Sequence, residues 1–406
     1  MIRGAFGASR IVLLLLIARA VGASDFGKFA LALSFIEIFK VVADLGLDIV
    51  SIRRFAAEPL RAAVIMNTVV GLKLVFSTCI VVIAPMLFLL LYRAEEGLSL
   101  LLILSLSVYT TLLSNAFLSY FQSQLSILKA LPANLTGVIL YVTFTAAGLL
   151  FGWPLEILAV AVPAGELVML TLLMRRYARE NPLHFRIDRN LAKALMRDSI
   201  FVGIAGILVV LYIRLDHLLI NGYLGTTEVG RYAVAYRLVE PFFLLFSSLS
   251  VSVYASISAR LNTPAESSIL GTMKKVSASV LAIAAAGIAI LAFVVAPNLS
   301  LLSSDYSGLG NVLLVLSFSL VPKGLNPQLT ALLNSMGKFR TLMVVTISNL
   351  AVNVLLNIIL IPRLGILGAA VAIVATESFN SLVQSIIALR SIRQHFGRTL
   401  LNDTSS

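Results

Sequence analysis

Twelve charged side chains lie inside long apolar runs of this chain. At mid-bilayer each would cost about 2.5 to 3.5 kcal/mol on insertion scales, so each must be paired, wet or functional. Glu37, Lys40, Asp44 and Asp48 follow one another at spacings of three, four and four residues. On a helix that spacing sets all four within a stripe of about 80°. Arg237 and Glu240 stand three apart, followed by Ser247, Ser248 and Ser250; Arg214, Asp216 and His217 cluster in another run; Lys73 lies halfway along a further one. Glu166, Lys323 and Glu377 complete the set of five cations and seven carboxylates. Lysine and arginine at such depth can hold an anion, arginine through its bidentate fork. Carboxylates there can take a coupling ion or poise those bases. Lys40, Lys73, Arg214, Arg237, Lys323 and Asn326, with Glu37, Asp44, Asp216 and Glu240, are therefore the candidate functional residues. The competing expectation is that Glu37 with Lys40, Lys40 with Asp44, and Arg237 with Glu240 are neutral pairs along one helix that only brace it. The symmetry of Glu166 and Glu377, described below, favours bracing for those two, and His217 alone reads as a hydrogen-bonded interfacial histidine.

Further chemistry is suggested at two places. Val321-Pro322-Lys323-Gly324-Leu325-Asn326-Pro327 sets two prolines and a glycine around a lysine. Proline removes a backbone donor, so a break is expected there, with Lys323 facing a polar cavity. Arg53 and Arg54, just beyond the charged stripe, suit entry of a phosphate headgroup from the cytoplasm. Catalysis and metal binding find no support: Cys79 is the single cysteine, His184, His217 and His395 are scattered, and no phosphate-binding glycine loop occurs. We expect no cofactor, no metal site and no enzymatic activity.

The elements that carry these residues follow from hydropathy. The chain is 59% hydrophobic and 12% charged, and a spanning helix needs roughly 20 apolar residues. Twelve segments qualify, at approximately 5–22, 26–50, 62–91, 98–124, 130–151, 155–176, 198–221, 229–256, 268–296, 308–333, 340–361 and 365–390. An all-α integral membrane protein is predicted. Residues 1–20 imitate a secretory signal, but cleavage would remove one span of an evenly duplicated set, so we read them as the first helix.

The duplication is explicit. Gly22-x-x-Asp25-x-Gly27-Lys28-Phe29-Ala30-x-Ala32 returns as Gly225-x-x-Glu228-x-Gly230-Arg231-Tyr232-Ala233-x-Ala235, 203 residues on, and the same register carries Glu37 onto Glu240. Later, at 211 residues, Asn115 meets Asn326, Lys129 meets Arg340 and Glu166 meets Glu377. The predicted domains are a six-helix lobe over 1–178, a cytoplasmic amphipathic linker over 179–197 and a second six-helix lobe over 198–406. Six spans per half make the repeat parallel, and duplicated halves are a transporter's signature. Counted on that topology, 21 Lys and Arg fall on the inner side against 5 outside. The positive-inside rule then makes both termini and the linker cytoplasmic. The net charge of +12 is explained by this topology, so no nucleic-acid partner is expected. The linker's Ile187, Leu191, Ala194 and Leu195 recur at helical spacing among basic residues, as in a helix lying on anionic lipid.

In their order, these residues resemble a known family. A leucine-rich first helix precedes Arg19-Ala20-Val21-Gly22-Ala23-Ser24-Asp25-Phe26-Gly27 and Asp44-Leu45-Gly46-Leu47 with Arg53 beyond. Asp216-His217-Leu218-Leu219-Ile220, Gly225-x-x-Glu228-Val229-Gly230-Arg231-Tyr232 and Leu364-Gly365-Ile366-Leu367-Gly368-Ala369-Ala370 follow. The pattern is similar to the polysaccharide repeat-unit (O-antigen and exopolysaccharide) flippases of Wzx type, in the multidrug/oligosaccharidyl-lipid/polysaccharide (MOP) exporter superfamily. The short first span departs from it. The resemblance implies two six-helix lobes in a MATE-like V, with a cavity lined by helices 1, 2, 7 and 8. It implies alternating access that moves an undecaprenyl-pyrophosphate-linked oligosaccharide to the outer leaflet of a bacterial inner membrane. On that resemblance Lys40, Lys73, Arg214, Arg237, Lys323 and Asn326 would line the path and contact pyrophosphate or acidic sugar, and Glu37, Asp44, Asp216 and Glu240 would couple an ion or poise those bases. Bilayer lipids, and the polysaccharide polymerase and other membrane proteins of the assembly pathway, would be its partners. The rival readings are a multidrug or cation antiporter, or a lipid II-type flippase, of the same superfamily. A membrane glycosyltransferase would need a catalytic acid cluster on an extended soluble loop, which these short loops do not supply.

Overall fold

The computed structural model describes residues 2–93, 96–181, 187–260 and 266–403. Residues 182–186 of the expected linker, with His184 and Arg186, lie outside the described residues. Among those described there are helices and turns but no strand. The helices are α1 (Ile2–Asp44), α2 (Leu47–Ala57), α3 (Ala62–Leu91), α4 (Leu98–Ser123), α5 (Leu131–Leu150), α6 (Leu155–Ala178) and α7 (Arg189–Leu224). They continue as α8 (Thr226–Arg260), α9 (Glu266–Ala289), α10 (Gly310–Phe318), α11 (Leu320–Ser335), α12 (Phe339–Leu364) and α13 (Ile366–Asp403). Ten helical segments of the described chain are long and apolar enough to cross a membrane, and they coincide with the third to twelfth expected spans. The first expected span and most of the second lie in α1, whose two arms meet at Gly22 with φ 77° and ψ 175°. Only glycine occupies that region without strain. Gly225, its repeat partner, holds φ 86° and ψ 174° between α7 and α8. The duplication is thus preserved in backbone geometry.

The chain packs as two compact units, residues 24–230 and residues 1–23 with 231–406. They differ from the sequence halves in one way: the first and seventh spans, which correspond under the repeat, each pack with the other half.

In the unit over 24–230, α4 packs against α2, α3 and α6, and α5 against α6. Its core gathers Phe55, Ile65, Met66, Val69, Phe117, Phe121, Leu173 and Tyr177. Small residues set the closest crossings. A methyl group on Gly137 or on Gly165 would come within 2.7 Å of the other's carbonyl oxygen, so α5 and α6 meet backbone to backbone. The charged stripe does not run down one continuous helix as expected. Leu45 and Gly46 adopt positive φ of 46° and 80°, ending α1 and starting α2, so Asp48 stands on a separate short helix. A neighbouring helix accompanies this break: a Cβ on Gly203 of α7 would lie 2.5 Å from the Leu45 carbonyl.

In the other unit, α11 packs on α9 and α13, and α12 on α13. Val253, Ile257, Ile269, Ala331, Leu332, Leu333, Ala388 and Ile392 form a core cluster. The expected break of helix 10 is present, displaced by several residues. The helix is interrupted at Ser319, while Pro322 lies in the first turn of α11 and Pro327 stays inside it. Proline at 322 cannot donate to the carbonyl four residues back, and the helix resets at that point rather than beside Lys323.

Candidate functional site

Four of the five embedded cations pair with a carboxylate of another helix in the same unit. In the unit over 24–230, Arg214 Nε on α7 lies 2.5 Å from Glu37 Oε2 on α1. Lys40 Nζ stands 3.5 Å from Glu166 Oε1 on α6, while Thr110 and Thr111 of α4 donate to the other oxygen at 2.8 and 2.6 Å. Lys73, fully buried on α3, donates to Asp44 at 2.7 Å and to Asp48 at 2.5 Å, spanning the break at Gly46. None of these interhelical contacts is contained in the i to i+4 logic of one helix. Asp216 and His217 are buried on α7. At the end of α2, Arg54 donates to Asp198 at 2.8 Å and Glu58 at 3.2 Å. These bonds hold its pKa above the ordinary arginine value. Arg53 beside it is exposed.

In the second unit, Arg237 and Glu240 form the expected pair along α8 at 2.5 Å. Lys323 Nζ lies 3.4 Å from Glu377 Oε1 and donates to the Tyr236 hydroxyl at 3.1 Å. Its ammonium stands 4.6 Å from the Phe243 ring centroid and 5.1 Å from that of Tyr236, within cation–π range. Asn326 donates to Glu377 Oε2 at 2.6 Å and accepts from Ser381 at 2.6 Å. The polar environment expected for Lys323 is therefore aromatic on one side and anionic on the other.

The two arrangements match in carboxylates and differ in cations. Glu37 and Glu240 correspond under the repeat, as do Glu166 and Glu377. Each is held by a cation of its own unit, yet Arg214, Lys40, Arg237 and Lys323 occupy non-equivalent positions. The position matching Lys40 is Phe243, the ring over which the Lys323 ammonium sits. One charge of the same sign thus reaches the equivalent carboxylate from α1 in one unit and from α11 in the other. All four of these cations keep 15% of their side-chain surface exposed. They are held in ion pairs without being fully buried.

Sequence reasoning missed Thr110 and Thr111, the aromatic cradle of Tyr236 and Phe243, and a row of buried asparagines at 349, 353 and 357 on α12. The four-residue asparagine spacing was a visible signal. The cradle had one as well, in the match of Phe243 to Lys40.

Duplicated sets of membrane-crossing helices, with ion pairs inside them, define the fold of a polytopic transporter. The chain belongs to the polysaccharide biosynthesis protein family, whose model matches residues 8–260. It is 22% identical over 372 residues, covering 91% of this chain and 77% of the relative, to a protein of Haloferax volcanii named "Probable low-salt glycan biosynthesis flippase Agl15". Among solved structures it is similar to the lipid II flippase MurJ in an inward closed conformation, with TM-score 0.78, 13% identity and coverage of 99% of this chain and 91% of that one. It is also similar to a multidrug resistance MATE transporter of the MOP superfamily in an inward-facing conformation. There the TM-score is 0.77, at 14% identity, with 95% and 94% of the two chains covered. The resemblance drawn from the motifs is thus shown for the polysaccharide biosynthesis family, and the fold is that shared by these two solved transporters.

Proposed function

We propose that this chain is a flippase that carries an undecaprenyl-pyrophosphate-linked oligosaccharide from the cytoplasmic to the outer leaflet of a bacterial inner membrane by alternating access, with ion coupling. The observation that carries this reading is the exposed margin of Lys40, Arg214, Arg237 and Lys323, each already facing an anion. A pyrophosphate or acidic sugar is the ligand class such cations take in exchange for a carboxylate. The released glutamate, or Asp44 or Asp216, then holds a proton or cation until the base returns, which would couple ion movement to headgroup movement. The lipid tail needs no protein path because it stays in hydrocarbon.

The multidrug reading is weaker at one specific place. A cationic drug would seek the faces of Tyr236 and Phe243 beside Glu377, and the ammonium of Lys323 already occupies them. The test is a vesicle assay with the purified chain and a fluorescent polyprenyl-pyrophosphate-linked oligosaccharide, scored by access to an external quencher. We expect inversion faster than in empty vesicles, slowed at least tenfold in Arg214→Ala. Inversion no faster than in empty vesicles, with accumulation of a lipophilic cation instead, would overturn the proposal in favour of the antiporter.

A further inference from the structure

A second cationic site lies away from the embedded pairs, at the ends of α5 and α6 in the unit over 24–230. Lys129, Arg175, Arg176 and Arg179 surround a cavity of about 420 Å³ whose other walls are Pro132, Ala133, Leu172 and Leu173. The local sequence accounts for the arrangement. A 3-10 turn over Ile127–Ala130 presents Lys129 directly before α5 begins, while the last turn of α6 carries Arg175 and Arg176 and the residue that caps it is Arg179. Basic residues complement that helix's C-terminal dipole, and the positive-inside rule accounts for their side of the membrane. Neither effect requires four cations from two helices to converge on one apolar-walled cavity. The start of α5 adds to the positive field, since its first turn holds no acidic residue and no side chain caps it.

The charges are only partly spent within the protein. Glu180 lies 3.5 Å from Lys129 and 3.2 Å from Arg176. Among the described residues, no carboxylate lies within 4 Å of Arg175 or Arg179, and both are exposed. A cavity with a leucine and proline wall and a cationic rim at the end of two spanning helices is suited to a ligand with a hydrocarbon stem and an anionic head.

We propose that this cavity binds the phosphate group of a bilayer-anchored lipid on the cytoplasmic face, either an anionic phospholipid or a polyprenyl pyrophosphate. The side follows from the charge-based orientation given above. The site is separate from the ion pairs within the helices and from the Arg53 and Arg54 end of α2. The acidic segment of a partner protein would fit the rim but not the apolar wall.

The test uses the purified full chain in neutral phosphatidylcholine nanodiscs, with retention of added phosphatidylglycerol and of undecaprenyl pyrophosphate read by native mass spectrometry. Removing two cations at a membrane surface should weaken retention ~30-fold. We therefore expect Arg175→Gln with Arg179→Gln to lose at least one of the two lipids by about that factor. The lipid lost identifies which phosphate source the cavity takes. Lys274→Gln with Lys275→Gln, two exposed lysines, removes as much charge from the same face of the membrane without touching the cavity, and should retain both lipids. Equal loss in the two double variants would mean a diffuse surface potential, and undiminished retention in the first would mean no lipid site; either overturns the proposal. An unchanged melting temperature confirms that the exposed arginines were not holding the fold. Retention is read without transport, so failure here and failure of the flippase proposal are distinguishable.

Discussion

At the residue scale, the informative comparison is between Lys40 and Lys323, two lysines that serve equivalent glutamates from different helices. Glu377 keeps only 7% of its side-chain surface exposed, and stripping the partner from a buried charge costs about 3–5 kcal/mol unless a proton is taken up. Lys323→Leu, which installs the kind of residue that the repeat places at Leu112, should therefore lower thermal stability and slow lipid inversion. Adding Phe243→Lys returns an ammonium from α8, in the manner of Lys40, and should restore a substantial part of both. The single and double variants, measured side by side for melting temperature and inversion rate, check this. No recovery in the double variant would mean that the aromatic cradle, not the charge, is what Glu377 requires. The sequence alone led to every charged member of these clusters, because charge inside an apolar run is conspicuous. It did not lead to partners such as Glu166 for Lys40 or Lys73 for Asp44 and Asp48, since helix periodicity describes one helix and these pairs join two.

At the element scale, helix ends and breaks depend on neighbours as much as on local sequence. The break at Leu45 and Gly46 was invisible because glycine is ordinary inside membrane helices; what accompanies it is the close approach of Gly203, distant in sequence. The proline-rich stretch did announce an interruption, but its position follows from the carbonyl that Pro322 leaves unbonded, one turn upstream. The duplicated glycine at Gly22 and Gly225, by contrast, was legible, since a repeated residue needed for a rare backbone conformation repeats with it. A comparison along α7 tests the packing argument. A methyl group at Gly203 would collide with the Leu45 backbone at 2.5 Å, whereas at Gly222 it would meet nothing within 4 Å. Gly203→Ala should destabilise the protein by several degrees in a thermal melt. Gly222→Ala should be neutral or stabilise by up to about 1 kcal/mol, the helix preference of alanine over glycine. Equal effects would remove the tight seam as the reason for the break.

For the whole molecule the decisive quantity is the number of crossings, because it fixes which face each basic cluster occupies. Ten helical segments of the described chain meet the requirements of length and apolarity, and α1 adds 43 residues. At 1.5 Å per residue α1 would extend about 64 Å, roughly twice a hydrocarbon core of about 30 Å. Its interruption at Gly22 is where two crossings would divide. Two crossings in α1 give twelve in all, an even number in each duplicated half, with both halves inserted the same way. Under the repeat Lys129 then corresponds to Arg340 and Arg179 to Arg390, so the basic ends of both halves fall on one side. A single crossing in α1 would instead put the start of the chain on the face opposite residues 179–197. The measurement is a pair of reporter fusions, one near Asn190 and one after Arg398, with a third in the short connection at Arg93. Cytoplasmic signal at the first two and external signal at the third is the expected result. Separately, a cysteine placed at Gly4 in a Cys79→Ser background should be shielded from an impermeant thiol reagent added outside intact cells. External labelling at residue 4, with the fusions unchanged, would reduce α1 to one crossing and the molecule to eleven.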